Sequence, residues 1–204
     1  MPPLVLASTS RWRAELLARL ELPFETRAPD YDERLHDHRF AALGPHDFAL
    51  HLARGKAESL VSAYPAGAWI LAADQIAVIG SDEAPELLHK PGSEANAVAQ
   101  LLRLRGRSHR LITAVVLLRA GPENGEQGGW SHAIDEQRLT MRDFAEAEAL
   151  AYVARHRPID SVGAYHIEDA GLRLFERIEG EDYTGIIGLP LLAVCRLLRA
   201  RGLL

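Results

Sequence analysis

One cysteine, Cys195, is the only thiol in the 204-residue sequence. A single thiol excludes an intramolecular disulfide framework and any zinc site built on several cysteines. Long apolar runs are missing as well, since no stretch approaches the roughly 20 residues that a membrane-spanning helix needs. The opening Met1-Pro2-Pro3-Leu4-Val5-Leu6-Ala7 has no basic segment before its short apolar run, so it does not read as a secretion signal. These absences predict a reduced, cytoplasmic protein with no membrane partner. Nor is there an excess of basic charge: 23 Lys and Arg stand against 28 Asp and Glu, a formal charge of −5. Sequence-independent binding of duplex nucleic acid needs a basic surface, so no nucleic-acid partner is expected, although the basic residues present can still line a small anion pocket. No Walker-type glycine loop, His-Glu-x-x-His helix or Gly-x-Ser-x-Gly elbow occurs, which removes P-loop NTPases, zincins and serine hydrolases of those types.

What the sequence does contain is an ordinary globular composition, 48% apolar and 25% charged, enough for one sizeable core. Leu4 to Ala7 reads as a buried strand. Ser8-Thr9-Ser10 then caps a helix whose Trp12, Leu16, Leu17 and Leu20 recur at helical spacing. A strand is expected over 23–27, an acidic loop over 30–33, and a helix over 46–64 with Leu50, Ala53, Ala57, Leu60 and Tyr64 on one stripe. Residues 69–79 form a β-rich run interrupted at Asp74-Gln75. Ser93 caps a third helix, and 109–119 and 130–140 read as strands joined by a glycine-rich loop over 121–129. Asp143 and Glu146 resemble a capping box for a helix reaching His156, and a last helix starts near Pro190 and stops at Gly202. The class is α/β with a mixed sheet, in one domain spanning 1–204.

Several residues carry chemistry. The Ser8-Thr9-Ser10 turn, followed by Arg11, Trp12 and Arg13, offers helix N–H groups and bidentate guanidinium donors to a phosphate; equally, Ser10 serves as an ordinary cap. Asp74 is the most informative position. A carboxylate at sheet depth costs several kcal/mol unless it is paired, metal-bound or protonated, which favours catalytic or metal duty over a bend into solvent. Lys56 sits at the edge of the apolar stripe, as a snorkelling lysine or an anion ligand. Asp30, Asp32 and Glu33 offer oxygen ligands to a hard divalent ion, or form a solvated loop. Trp12 is either a core residue or a platform for a flat ligand. Taken together, these groups suit metal-assisted hydrolysis of a nucleotide phosphate.

The ordered blocks Leu6-Ala7-Ser8-Thr9-Ser10 with Arg13, Asp32-Glu33, Lys56-Ala57, Ala73-Asp74-Gln75, Lys90-Pro91, Gly106-Arg107 with His109, Gly163-Ala164-Tyr165 and Gly188-Leu189-Pro190 run along nearly the whole chain. In these the sequence resembles the Maf nucleotide pyrophosphatases, once described as septum-formation inhibitors. The resemblance implies an elongated mixed sheet flanked by helices, with two lobes around a central cleft, as in Maf and ITPase-like proteins. It implies hydrolysis of a nucleoside triphosphate to monophosphate and pyrophosphate with a divalent cation (Mg²⁺, Mn²⁺ or Co²⁺), and a possible homodimer. Carried over by position, Asp74 is the proton acceptor and a metal contact, Glu33 a further metal ligand, and Ser8, Arg13, Lys56 and Lys90 hold the triphosphate. Trp12, Gln75 and Glu168 are similar to the base-recognition trio of the 7-methyl-GTP branch, where an indole face suits a cationic base. Arg11, Val162 and Asp169 depart from the family's usual proline, alanine and glycine. Two alternatives remain open: hydrolysis of another canonical or modified triphosphate, and a nucleotide-binding regulator of cell division without essential catalysis.

Overall fold

The computed structural model describes residues 3–121 and 129–204; most of the glycine-rich loop expected over 121–129 lies outside the described residues. The opening strand and helix form as expected. Strand β1 (Leu4–Ala7) is buried along its whole length, as its unbroken apolar run requires of a strand covered on both faces. Ser10, in extended conformation, caps helix α1 (Arg11–Ala18), its hydroxyl accepting from the Arg13 N–H at 3.4 Å. Strand β2 (Glu25–Arg27) is shorter than the segment expected and pairs parallel with β1.

The other face of β1 pairs parallel with β3 (Trp69–Gly80), and β4 (Pro85–Leu88) returns antiparallel along β3. With β5 (Ser108–Arg119), β6 (Trp130–Met141) and β7 (Phe175–Glu179) these form a seven-stranded mixed sheet in the order β2-β1-β3-β5-β6-β7, with β4 beside β3. The α/β class read from the sequence is the one observed. Strand β3 runs through Asp74-Gln75 without interruption, so the expected break is absent.

Two other expectations need correction. The acidic loop ends at Asp32, whose carboxylate accepts from the Arg34 N–H at 3.1 Å and caps a 3-10 helix over Glu33–Arg39. Helix α2 is assigned to Phe40–Glu58, but Gly44 at φ +73° breaks it, so its regular part begins at Pro45, where a proline's missing N–H costs nothing. Its buried stripe is Phe48, Ala49, Leu52, Ala53, Lys56 and Ala57, which keeps the expected Ala53 and Ala57 but takes Leu52 in place of the half-buried Leu50. Lys56 lies within this stripe rather than at its edge.

The chain divides into two compact units, one of Met1–Gln75, Thr113–Asp135 and Asp182–Leu204, the other of Ile76–Ile112 and Glu136–Glu181. In the first, Leu6, Leu71, Val115 and Leu117 of the sheet pack with Leu16 and Leu17 of α1 and with Val194 and Leu198 of α6 (Leu191–Arg199). Before α6 lies a single turn, α5 (Thr184–Ile187). In the second, α3 (Glu94–Leu104) packs on α4 (Glu146–His156) through faces that include Leu101, Leu104, Tyr152 and Val153. Helix α4 has Ala145 at its N-cap and no side-chain cap, so the expected Asp143 capping box does not form. No described helix is long and apolar enough to cross a membrane.

Candidate active site

Asp74 lies mid-way along β3, flanked by Ala73 and Ile76, and only 2% of it is exposed. The reading of a bend into solvent therefore falls. Lys56 arrives from the buried stripe of α2, itself 5% exposed, and its ammonium donates to Asp74 Oδ1 and, at 2.5 Å, to Glu33 Oε1. Glu33 is the outward member, with 41% of its side chain exposed. One ammonium is thus shared by two carboxylates, one sealed in the core and one opening to solvent. Of the acidic loop, only Glu33 joins this cluster: the Asp32 side chain is engaged as a cap, and Asp30 is tied through its N–H to Ser59 Oγ at 3.2 Å.

Arg13 approaches the same strand from α1. Its Nε donates to Gly188 O and one terminal nitrogen to Ala73 O, each at 2.8 Å, so it braces the backbone immediately before Asp74. Gly188 adopts φ +107°, and a Cβ there would stand 3.3 Å from Arg13 Nε, so glycine is required at this position. Burial pushes the Arg13 pKa down, against the opposing pull of Asp74 and Glu33. For Asp74 burial is also the largest influence and raises the pKa; Lys56 lowers it, Glu33 raises it, and Arg13 lowers it.

The remaining first-unit candidates surround these groups. Gln75 spends its amide nitrogen on Gly185 O at 2.6 Å and Thr113 Oγ1 at 3.0 Å. Ser8 is buried and accepts from the Ser10 N–H at 3.1 Å, so its hydroxyl orders the turn that enters α1. Trp12 is half-buried and stays out of the apolar cluster that takes Leu16 and Leu17; the Arg11 guanidinium lies 4.1 Å above its ring. Sequence reasoning missed Asp182 and Thr184. The buried Asp182 carboxylate accepts from Thr184 N–H at 3.0 Å, Thr184 Oγ1 at 2.5 Å and Leu192 N–H at 2.7 Å, while Thr184 Oγ1 accepts from Leu191 N–H at 2.8 Å. This clamp fixes the turn whose Gly185 and Gly188 carbonyls receive Gln75 and Arg13. The Asp-x-Thr spacing before a proline-led helix was the available signal.

Lys90 and Glu168 belong to the second unit, and both are exposed. Near Glu168, Asp169 faces His166 Nδ1 at 3.5 Å, and Tyr165 is buried with its hydroxyl 2.8 Å from His109 Nε2. Burial alone pushes His109 down to about 4, so it is neutral at physiological pH.

The family model for Maf-like proteins matches residues 3–201. The chain belongs to that family. Among curated relatives, the 7-methyl-GTP pyrophosphatase of Chromohalobacter salexigens is 39% identical over 100% of this chain and 98% of its own. That of Xanthomonas oryzae pv. oryzae is 39% identical over 99% and 98%, and that of Cupriavidus metallidurans 38% over 98% and 94%. More distant are two solved structures. The dITP/XTP pyrophosphatase of Mycobacterium abscessus is 18% identical over 70% of this chain and 75% of its own, with a TM-score of 0.39. A HAM1 protein from Coxiella burnetii is 14% identical over 84% and 91%, with a TM-score of 0.45.

For this Maf-like chain the donor set is compatible with a hard divalent ion. Glu33 and Asp74 already converge on one cation, the Lys56 ammonium, and both offer carboxylate oxygen. Among the described residues no group of three or more His, Cys, Asp or Glu is assembled for a metal. Two carboxylates without a full protein cage match the Mg²⁺ pattern, in which water and substrate phosphates complete the coordination.

Proposed function

We propose that this Maf-like protein hydrolyses a nucleoside triphosphate to its monophosphate and pyrophosphate, acting as one domain, with 7-methyl-GTP as the preferred substrate. The observation that carries the reading is the buried Asp74 carboxylate sharing the Lys56 ammonium with the outward-facing Glu33. A plain structural ion pair needs one carboxylate per ammonium; the second, half-exposed one gives the cluster a side on which a cation and phosphate oxygens can be received.

Asp74 takes the proton of the water that attacks the α-phosphorus; the bond to the bridging oxygen breaks, and pyrophosphate leaves. A base works best with a pKa near the operating pH, and burial moves Asp74 in that direction. Lys56 holds Asp74 ionised and faces the triphosphate with its positive charge. Arg13 has two of its nitrogens on the Ala73 and Gly188 carbonyls, so it keeps Asp74 in place and offers phosphate only its remaining N–H groups. Ser8 orders the turn beside them. Glu33 and Asp74 would hold the divalent ion, whose chemistry is to neutralise charge on the phosphate oxygens.

The base preference rests on the relatives' shared activity and on Trp12. Its indole is half-exposed and already carries a cation, Arg11, which is the charge that N7-methylation gives guanine. Gln75 has its amide nitrogen engaged, leaving its carbonyl oxygen as the group to meet the base. For Glu168 and Lys90 the family alone supports the roles of guanine acceptor and phosphate ligand. A panel of triphosphates with Mg²⁺, Mn²⁺ and Co²⁺ tests the proposal, and turnover of UTP well above 7-methyl-GTP overturns the base assignment. Asp74→Asn is expected to lower pyrophosphate release by orders of magnitude while nucleotide affinity largely survives; unchanged release refutes the mechanism.

A further inference from the structure

Tyr31 stands two residues before Glu33 and is absent from the reaction scheme above. The hydroxyl end of its ring packs against α2 at Gly55, the residue before Lys56. A Cβ at position 55 would come within 2.2 Å of Tyr31 Cε2 and 2.6 Å of its hydroxyl oxygen, so the contact exists only because that residue is glycine. The ring is also stacked on His36, with centroids 4.7 Å apart and planes 15° from parallel. His36 Nδ1 lies 3.0 Å from His51 Nε2 on α2, and the Tyr31 hydroxyl reaches the same nitrogen at 3.5 Å.

The segment carrying Glu33 is therefore fastened to α2 at residues 51 and 55, within the turns that deliver Lys56. Glu33 needs such a fastening. Its carboxylate is half-exposed and sits on a short 3-10 helix, and an ion pair to such a group holds geometry only loosely. Aromatic stacking and a ring seated against backbone are short-range and orientation-dependent, so they fix the turn where charge attraction cannot.

We infer that Tyr31 is a positioning residue for the reaction: seated in the notch at Gly55 and stacked on His36, it sets where the Glu33 carboxylate stands relative to Lys56 and Asp74. This rests on the reading that those three groups are the catalytic and metal-holding cluster. Groups behind metal ligands commonly change metal affinity or activity by roughly tenfold to a hundredfold when removed. The same range is expected here both in kcat/KM and in Mn²⁺ binding by the nucleotide-free protein, read from the electron paramagnetic resonance signal of unbound Mn²⁺.

Four variants and one control test it. Gly55→Ala, whose methyl must displace the ring, and Tyr31→Ala should each weaken Mn²⁺ binding and kcat/KM within that range. Tyr31→Phe, which keeps the ring, should stay within about threefold of the parent, well short of that range. The double variant should be no worse than Tyr31→Ala alone, because the methyl added at position 55 then meets no ring. The inference is overturned by parental Mn²⁺ affinity in Gly55→Ala, or by a double variant whose loss is the product of the two single losses. Glu33→Gln separates the two levels. If it leaves Mn²⁺ binding and turnover unchanged, the reading of the cluster fails and the inference with it. If it abolishes both while Gly55→Ala changes nothing, only the inference fails.

Discussion

Replacing Lys56 with methionine isolates the electrostatic contribution of the cluster. Methionine keeps a side chain of similar length in the α2 stripe, so little packing is lost. What goes is the ammonium that pairs a carboxylate only 2% exposed. Removing one partner of a buried pair costs about 3–5 kcal/mol, because the remaining charge is left without water and without its stronger counter-charge, Arg13 exerting the smaller pull. The loss must depend on pH, and its sign follows from Asp74. Its folded pKa is already above the ordinary 3.8, and Lys56 is the largest influence holding it down, so the variant raises it further. A carboxyl that binds its proton more tightly when folded contributes stability that is full below 3.8 and lost as pH rises through the folded value. The deficit of the variant should therefore be small at acid pH and grow by up to about 1.4 kcal/mol per pH unit only once pH exceeds the parent's raised Asp74 pKa, until the variant's still higher value is passed. Urea unfolding of both proteins from pH 4.5 to pH 8 measures this. A deficit below about 1 kcal/mol at pH 8, the range of exposed pairs, or one that is equal at both ends, refutes the account.

Two further outcomes are expected. His109, held at about 4, contributes stability that is full above 6.5 and lost as pH falls toward 4; the parent should lose about 3 kcal/mol over that interval, and His109→Gln should flatten it. Unfolding curves that run parallel for the two proteins would contradict this. Arg13→Lys cannot reach the Ala73 and Gly188 carbonyls together, so it should cost about 1–3 kcal/mol in unfolding free energy and lower kcat at nearly constant KM. A kcat at the parental level would show that bracing the Asp74 strand is dispensable.

Much of the fold was legible because it rests on local signals. The Leu4–Ala7 strand, the Ser10 cap, the Ser93 cap and the two long strands ending in Arg119 and Met141 all follow from apolar period and capping chemistry. The buried place of Asp74 was legible for a related reason: it stands inside an apolar run that the sheet covers. The errors lay where the local signal was shared or silent. The α2 stripe was read correctly at Ala53 and Ala57 but took Leu50 for Leu52, because both leucines border that helical face and only packing chooses between them. Strand β7, with the sequence Phe-Glu-Arg-Ile-Glu, has too few apolar residues to announce itself; its antiparallel partner β6 creates it.

By itself the sequence determined the class of the fold, the family and the inventory of charged groups, since composition, periodicity and ordered motifs are properties of the chain. Tertiary structure decided which of those groups meet. Glu33 rather than Asp30 or Asp32 reaches Lys56; Arg13 spends itself on two carbonyls; Tyr31 lies in a notch that only Gly55 leaves open. These are contacts between residues tens or hundreds of positions apart. Their energies depend on distances of a few ångströms and on the exclusion of water, neither of which exists until the core has closed around them.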